Sequence, residues 1–271
     1  MGATVREPAV AGRFYPANPE RLRADIESYL SPSQEKVHAI GCVAPHAGYM
    51  YSGHVAGAVY SHIELPARNI VLCPNHTGLG TPLSIMTNGT WRTPLGDMEI
   101  DEEICTALMN EDPDLEEDSS AHRFEHAIEV QIPFMQHIGG GSVRFVPITI
   151  GTGDFQQLDQ LGRAIAKVLR EVAPDALIIA SSDMNHYESD AITRVKDRKA
   201  IDQVLAMNPR GLYDVVQREN ISMCGYGPTV SMLTAAKLLG AQKAELVKYA
   251  TSGDVSLDFD HVVGYAGITI E

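Results

Sequence analysis

The chain has 271 residues, of which 44% are apolar and 21% charged, so it can bury a full hydrophobic core without covalent cross-links. This excludes small cross-linked scaffolds and disordered tails. Its 35 acidic and 21 basic residues give a formal net charge of −14, and such a surface repels nucleic-acid phosphates and anionic membranes. We therefore expect neither nucleic acid nor a membrane as a partner.

No apolar run approaches the roughly 20 residues of a membrane span, and residues 1–10 lack the layout of a secretion signal. The four cysteines are scattered and form no C-x-x-C pair, which is typical of a reducing compartment. We expect a cytoplasmic protein. Because no repeat or linker interrupts the chain, we predict a single domain over residues 1–271.

The predicted elements begin with a helix after Asn18. Asn18 can cap this helix, Pro19 suits its first position, and apolar residues recur at helical spacing from Leu22 to Leu30. Short apolar runs follow at 39–43, 70–73 and 176–180, each bounded by polar or turn residues. Such runs are typical of strands that are buried on both faces of a parallel sheet.

The remaining elements alternate between strands and helices. A strand is predicted at 144–150, and Asp154 can cap a long helix whose apolar stripe runs from Phe155 to Val172. Pro228 opens another helix, which ends at Gly240. Strands at 244–249 and 262–270 complete the set. The alternation predicts an α/β fold.

Polar segments that contain histidine follow three of the predicted strands. His46 follows the first strand, His76 the second, and Asp183 and His186 the third. Because the carboxyl ends of parallel strands share one edge of a sheet, these loops are expected to converge. A single histidine after a strand is most often a cap or an ordinary loop residue. Three at one edge predict a shared site, since imidazole is both a metal ligand and a proton carrier.

Cys224 lies just before the helix that Pro228 opens, next to Gly225. Free N–H groups and the helix dipole at such a position favour the thiolate, which is the form that binds metal or attacks carbon. The alternative is a small apolar residue beneath a tight turn. The sequence leaves both interpretations open.

Glu125, His126 and Glu129 form another concentration of polar residues. On a helix, the two carboxylates at i and i+4 and the neighbouring imidazole could reach one cleft. The alternative is a solvated helix face, and the apolar residues between them do not decide which side the acids face.

Six segments, in matching order over nearly the whole chain, resemble the Memo family. They are residues 7–16 (EPAVAGRFYP), 44–49 (APHAGY), 92–96 (RTPLG), 125–129 (EHAIE), 181–183 (SSD) with His186, and 224–225 (CG). That family is similar in fold to the class III extradiol dioxygenases, non-haem iron enzymes that open catechol rings. The resemblance implies a three-layer α/β/α fold with a mostly parallel central sheet.

The resemblance also implies metal ligands at His46, His76 and Cys224, with Asp183 and His186 lining the same pocket. The ring-opening enzymes hold iron with two histidines and a glutamate, so a cysteine at the third place departs from their pattern, and ring opening is not implied. Members of the family have been described as copper- or iron-binding redox proteins, and animal members as phosphotyrosine-peptide binders. Prokaryotic relatives tend to accompany a radical-SAM protein.

Two imidazoles and a thiolate suit Fe(II), Cu or Zn, and three protein ligands leave positions open for substrate or dioxygen. His186 is expected to act as acid or base, with Asp183 holding its tautomer or accepting a hydrogen bond from a metal-bound water, and Glu125 and His126 are further catalytic candidates. The main hypothesis is a metal-dependent redox enzyme with Fe(II) or Cu, acting on an unidentified small molecule or peptide.

Two alternatives remain: a binding module that holds a peptide or anion in the same cleft without turnover, and a Zn-dependent hydrolase with Glu125 or His186 as base. No phosphate-binding glycine fingerprint indicates a nucleotide cofactor.

Overall fold

The fold is described by a computed structural model that covers residues 4–31 and 35–271. Its strands are β1 Val5–Arg6, β2 Gly41–Ala44, β3 Arg68–Pro74, β4 Leu83–Ile85, β5 Thr90–Thr93, β6 Gly96–Ile100, β7 Glu116–Glu117, β8 Arg144–Ile150, β9 Leu177–Ser181, β10 His186–Glu188, β11 Ala244–Thr251 and β12 Val262–Ile270. Its helices are α1 Pro19–Tyr29, α2 Tyr49–His62, α3 Glu102–Glu111, α4 Ile132–Gly139, α5 Phe155–Val172, α6 Asp190–Leu205, α7 Pro209–Arg218, α8 Tyr226–Leu239 and α9 Gly253–Ser256. Short 3₁₀ turns lie at Glu129–Gln131 and Gly140–Ser142.

Within the described residues the strands form a twelve-stranded mixed sheet in the order β1-β5-β6-β8-β3-β9-β2-β12-β10. Off this path, β11 pairs with β12, β4 with β8, and β7 with β4. Its centre, β8-β3-β9-β2, is parallel, and nearly every residue there is buried. The apolar runs predicted at 39–43, 70–73 and 176–180 become β2, β3 and β9. This confirms the α/β class and the prediction of strands covered on both faces.

Helices cover both faces of this sheet and give three layers. On one face α8 packs across β2, β3 and β9, with α5 beside it, and on the other α2 packs against β2, β11 and β12. Two glycines allow the close approach. A Cβ on Gly41 of β2 would lie 2.6 Å from the sulfur of Met232 in α8, and one on Gly267 of β12 would lie 2.5 Å from a methyl of Val59 in α2.

Two of the predicted helices start at the expected caps. The Asn18 side chain accepts from the amide of Arg21 at the start of α1, and Asp154 accepts from the amide of Gln156 at the start of α5. Helix α8 begins at Tyr226, two residues before the predicted start. None of the helices in the two described ranges is long and apolar enough to cross a membrane.

Candidate metal centre

A cleft of about 610 Å³ opens at the carboxyl ends of β2, β3 and β9. His46, His76 and Asp183 each lie two residues beyond one of these strands, and all three line the cleft together with His186 and Cys224. The predicted convergence of three loops is therefore observed. The parallel arrangement of the strands is what brings them to one edge.

Three imidazoles form the centre of the cleft. The rings of His46 and His76 lie 5.1 Å apart, His46 and His126 5.5 Å, and His76 and His126 4.7 Å. One ring nitrogen from each lies within 4.8 Å of the other two, a spacing at which they could hold a metal ion. His126, which the sequence suggested as a catalytic candidate beside Glu125 and not as a metal ligand, is thus part of the cluster.

His46 is fully buried, and a hydrogen bond on the side of the ring away from the cleft fixes its tautomer. Its Nδ1 lies 3.0 Å from the Ser181 hydroxyl, which itself donates to the carbonyl of Ala127 at 2.7 Å. The hydroxyl must then accept from His46 Nδ1–H, which leaves Nε2 with its lone pair toward the cleft. Burial lowers the pKa of His46 well below its ordinary value, and the neighbouring imidazoles lower it further, so the ring is neutral.

Glu125 is fully buried and orients His76. Its carboxylate accepts from His76 Nδ1 at 2.9 Å and from the His76 amide at 2.6 Å, and its third partner is the amide of Ala127. Burial alone would raise the pKa of Glu125, but the bond and charge of His76 lower it below its ordinary value. The same carboxylate raises the pKa of His76 against the effect of burial. His126 Nδ1 is 3.4 Å from Glu125 Oε1, the oxygen that accepts from His76 Nδ1.

Glu129 does not reach the cleft, because residues 119–128 form turns rather than the helix that its spacing from Glu125 suggested. Its buried carboxylate instead pairs with the Arg6 guanidinium and accepts from the amides of Ala9 and Val10 and the hydroxyl of Tyr15. Glu129 therefore anchors the N-terminal turn that includes residues 9–15, and neither acid forms a solvated helix face.

Cys224 lies at the cleft wall, where its Sγ is 3.3 Å from His46 Nε2 and 3.6 Å from the carbonyl of Asp183. Burial raises the pKa of its thiol, and the nearby Asp183 carboxylate raises it further. Of the two alternatives that the sequence leaves open, the raised pKa disfavours the thiolate in the chain by itself, because desolvation opposes the helix dipole.

Asp183 and His186 do not form the expected pair. The Asp183 carboxylate accepts from the amides of His46 and Ala47, at 2.8 and 3.3 Å, and so fixes the His46 loop. The Nδ1–H of His186 instead donates to the carbonyl of Ser222 at 2.9 Å. The tautomer of His186 is thus set by Ser222, and its Nε2 remains available to a ligand.

Three lining residues had no assigned role in the sequence. Phe14 packs edge-on against His126 at 4.8 Å, and Ser222 holds His186. Tyr187 lies at a bulge in the pairing of β10 with β12, with φ of 61°, and its side chain is 74% exposed at the cleft mouth. A tyrosine whose backbone is in the left-handed region cannot be recognised from the sequence. Among the described residues that line the cleft, none is Lys or Arg.

Comparison with known proteins gives consistent matches over the full length. The sequence profile of the family described as "Memo-like protein" matches residues 6–269. A MEMO1 family protein of Methanopyrus kandleri is 46% identical over 97% of this chain and 98% of its own length. MEMO1 family proteins of Methanothermobacter thermautotrophicus and Pyrobaculum aerophilum are 41% and 43% identical, each over at least 97% of both chains.

Proposed function

The chain belongs to the Memo family, and from this premise we propose that it is a metal-dependent redox enzyme. In this proposal His46, His76 and Cys224 hold one ion, iron or copper, next to a substrate in the cleft. One observation carries it. One nitrogen from each of three imidazoles lies within 4.8 Å of the other two, the Cys224 thiol lies against His46, and the Nδ1 atoms of His46 and His76 are held by Ser181 and Glu125.

The donor set fits an ion of this class. Two donors on one tetrahedral ion, with a metal–nitrogen bond of about 2.05 Å and a metal–sulfur bond of about 2.3 Å, lie about 3.6 Å apart. Cys224 Sγ and His46 Nε2 are 3.3 Å apart, which is close to that separation. Imidazole with thiolate suits iron, copper or zinc, whereas Mg and Ca prefer oxygen donors. The neutral state of His46 provides the lone pair that such an ion needs.

The ion, when bound, would supply redox chemistry and coordination positions open to substrate. The residues around it have separate tasks. Glu125 keeps the proton on His76 Nδ1, so that Nε2 keeps its lone pair for the metal. Asp183 keeps the His46 loop in place. Cys224 must lose its proton to bind metal, so metal uptake should release a proton and strengthen as the pH rises.

Two imidazoles remain for proton transfer. His186 presents Nε2 to the cleft because its Nδ1–H is bonded to Ser222, and it can accept a proton from a bound substrate. His126 shares the Glu125 carboxylate with His76, and burial lowers its pKa, so it is neutral and can accept a proton as well. Phe14 and Val263 contribute apolar walls that exclude water.

The experiment is elemental analysis of the protein purified without oxygen, for the wild type and three variants. The proposal expects about one iron or copper per chain, lost in Cys224→Ala and retained in His126→Ala. Cys105→Ala is the matched control, because this cysteine is fully buried in α3 and lies outside the cleft. If Cys224→Ala keeps its metal and His126→Ala loses it, three imidazoles hold the ion and the ligand assignment is wrong.

A zinc-dependent hydrolase is the second candidate, and the three-imidazole cluster favours it. Three histidines are the donor set of a well-known catalytic zinc site, in which the ion activates water. Glu125 is a poor base for that water because its carboxylate is already bonded to His76 and Ala127. His186 would take that part, because His126 is the third zinc ligand in this candidate. Tightly bound zinc, with no response to dioxygen, would support this function over redox chemistry.

A further inference from the structure

A second hollow, also of about 610 Å³, lies on the other side of Phe14 from the histidine cluster. Phe14 lines both hollows. Ala47 and Gly48 line the cleft, and the next two residues, Tyr49 and Met50, line the second hollow. The two spaces are therefore neighbours separated by one side chain and the start of α2.

The second hollow differs from the cleft in charge. Arg13 and Arg21 line it, with Asp25 as its single acidic residue, whereas no Lys or Arg is among the described residues that line the cleft. In the described residues, neither guanidinium has a carboxylate within ion-pairing distance. Eight of the other twelve arginines form ion pairs within the described residues, and the remaining four, Arg23, Arg123, Arg144 and Arg170, do not line this hollow. Two unpaired cations that share one hollow indicate a site for an anion.

Both arginines are held by rigid supports. Arg13 lies in the turn of residues 10–15, where Gly12 has φ of 82° and Glu129 bonds the amide of Val10 and the hydroxyl of Tyr15. The backbone of Arg13 is therefore already fixed, and no loop has to become ordered when a ligand binds.

Arg21 lies in the first turn of α1, where its amide donates to the capping Asn18 side chain. The helix dipole is positive at this end, so a cation there is unfavourable unless an anion lies beside it. Glu20 in the same turn already offsets part of this dipole, so the case for an anion rests on the two guanidinium groups that share the hollow.

We propose that Arg13 and Arg21 bind the phosphate or carboxylate group of a small substrate whose reacting end lies at the histidine cluster beyond Phe14. The placement of the reacting end at the histidine cluster rests on the proposed function, but the anion site does not require a metal. The substrate class is then a small acid, long enough to pass Phe14, with a neutral group at the cleft. This class of substrate suits both spaces. The arginines of the second hollow bind the acidic group, and the uncharged end contacts the imidazoles of the cleft.

The test is a titration of the ¹⁵N-labelled full chain, metal-free and metal-loaded, with inorganic phosphate against chloride at constant ionic strength. The Nε–H signals of Arg13 and Arg21 should shift along one saturable curve. Arg23 is the internal control, because it lies on the same helix but lines a different hollow that contains Asp97 and Glu99. A parallel titration with acetate shows whether the site prefers phosphate or carboxylate, and saturation by either supports the proposal.

Variants give the second readout. Arg13→Gln and Arg21→Gln should each weaken phosphate binding about five- to tenfold, and Arg23→Gln should leave it unchanged. Cys224→Ala should also leave it unchanged, so a failure of the metal assignment is distinguished from a failure of this site. The proposal is overturned if all three arginine signals drift together without saturation, or if the double variant binds phosphate as the wild type does.

Discussion

Replacing Glu129 by Gln should destabilise the whole protein, although the change keeps the shape of the side chain. The carboxylate is fully buried, pairs with Arg6, and accepts from Ala9, Val10 and Tyr15. An amide has one acceptor oxygen and no charge, so Arg6 is left buried without its counter-ion. Breaking a buried pair in this way costs about 3–5 kcal/mol. For a chain of this length that corresponds to a fall of about 10 °C in the melting temperature.

The measurement is urea unfolding followed by circular dichroism, with scanning calorimetry for the melting temperature. Glu7→Gln is the matched control, because Glu7 is on the same segment and pairs with Arg92, but both side chains are largely exposed, at 64% and 45%. Its loss should stay below about 1 kcal/mol. The double variant Arg6→Met/Glu129→Gln should lose less than the sum of the two single variants, since it removes the unpaired charge. Equal, small losses for Glu129→Gln and Glu7→Gln would refute the reasoning.

Three further changes test the fold and its electrostatics. Burial raises the pKa of Asp197 from its ordinary value of 3.8 to about 7, so the free energy of unfolding of the wild type should fall as the pH rises between these two values. Between pH 5 and pH 8, urea titrations should show that Asp197→Asn loses about 3 kcal/mol less of this free energy than the wild type does. Asp154→Ala removes the cap of α5 and should cost about 1 kcal/mol, measured by thermal unfolding. Gly264→Ala places a methyl group against the Asp197 carboxylate and should cost about 3 kcal/mol by urea unfolding, whereas Gly141→Ala, which meets open space, should be nearly neutral. A wild-type pH profile in Asp197→Asn, an unchanged melting temperature in Asp154→Ala, or equal losses in the two glycine variants would contradict the respective explanation.

The central strands could be predicted because burial on both faces requires unbroken apolar runs, and such runs are visible at 39–43, 70–73 and 176–180. Helix α5 was visible for the opposite reason, since one face is apolar and the other polar. Helix α2 was not predicted. It is packed between the sheet and its neighbours, most of its residues are buried, and it carries no polar stripe to reveal a helical period.

The candidate site was predictable where it follows from topology and not where it follows from local turns. Parallel strands bring His46, His76 and Asp183 to one edge, and that needs only the order of elements. The hydrogen bond between His76 and Glu125 depends on the irregular turns at 119–128, whose sequence has no periodic pattern. The sequence could not decide between the two interpretations of Cys224, because its burial and the nearby Asp183 carboxylate, which both raise the pKa of the thiol, depend on residues distant in the chain.

The donors of the candidate centre come from four loops spread across most of the chain, so no short fragment contains the site. Contacts between such distant segments form late in folding, because closing long loops costs entropy before the contacts reward it. An ion would therefore be captured by a finished protein rather than by a nascent one. Since copper outcompetes iron and zinc for a given set of nitrogen and sulfur donors, the ion acquired would depend on which metals the cell leaves free at that moment.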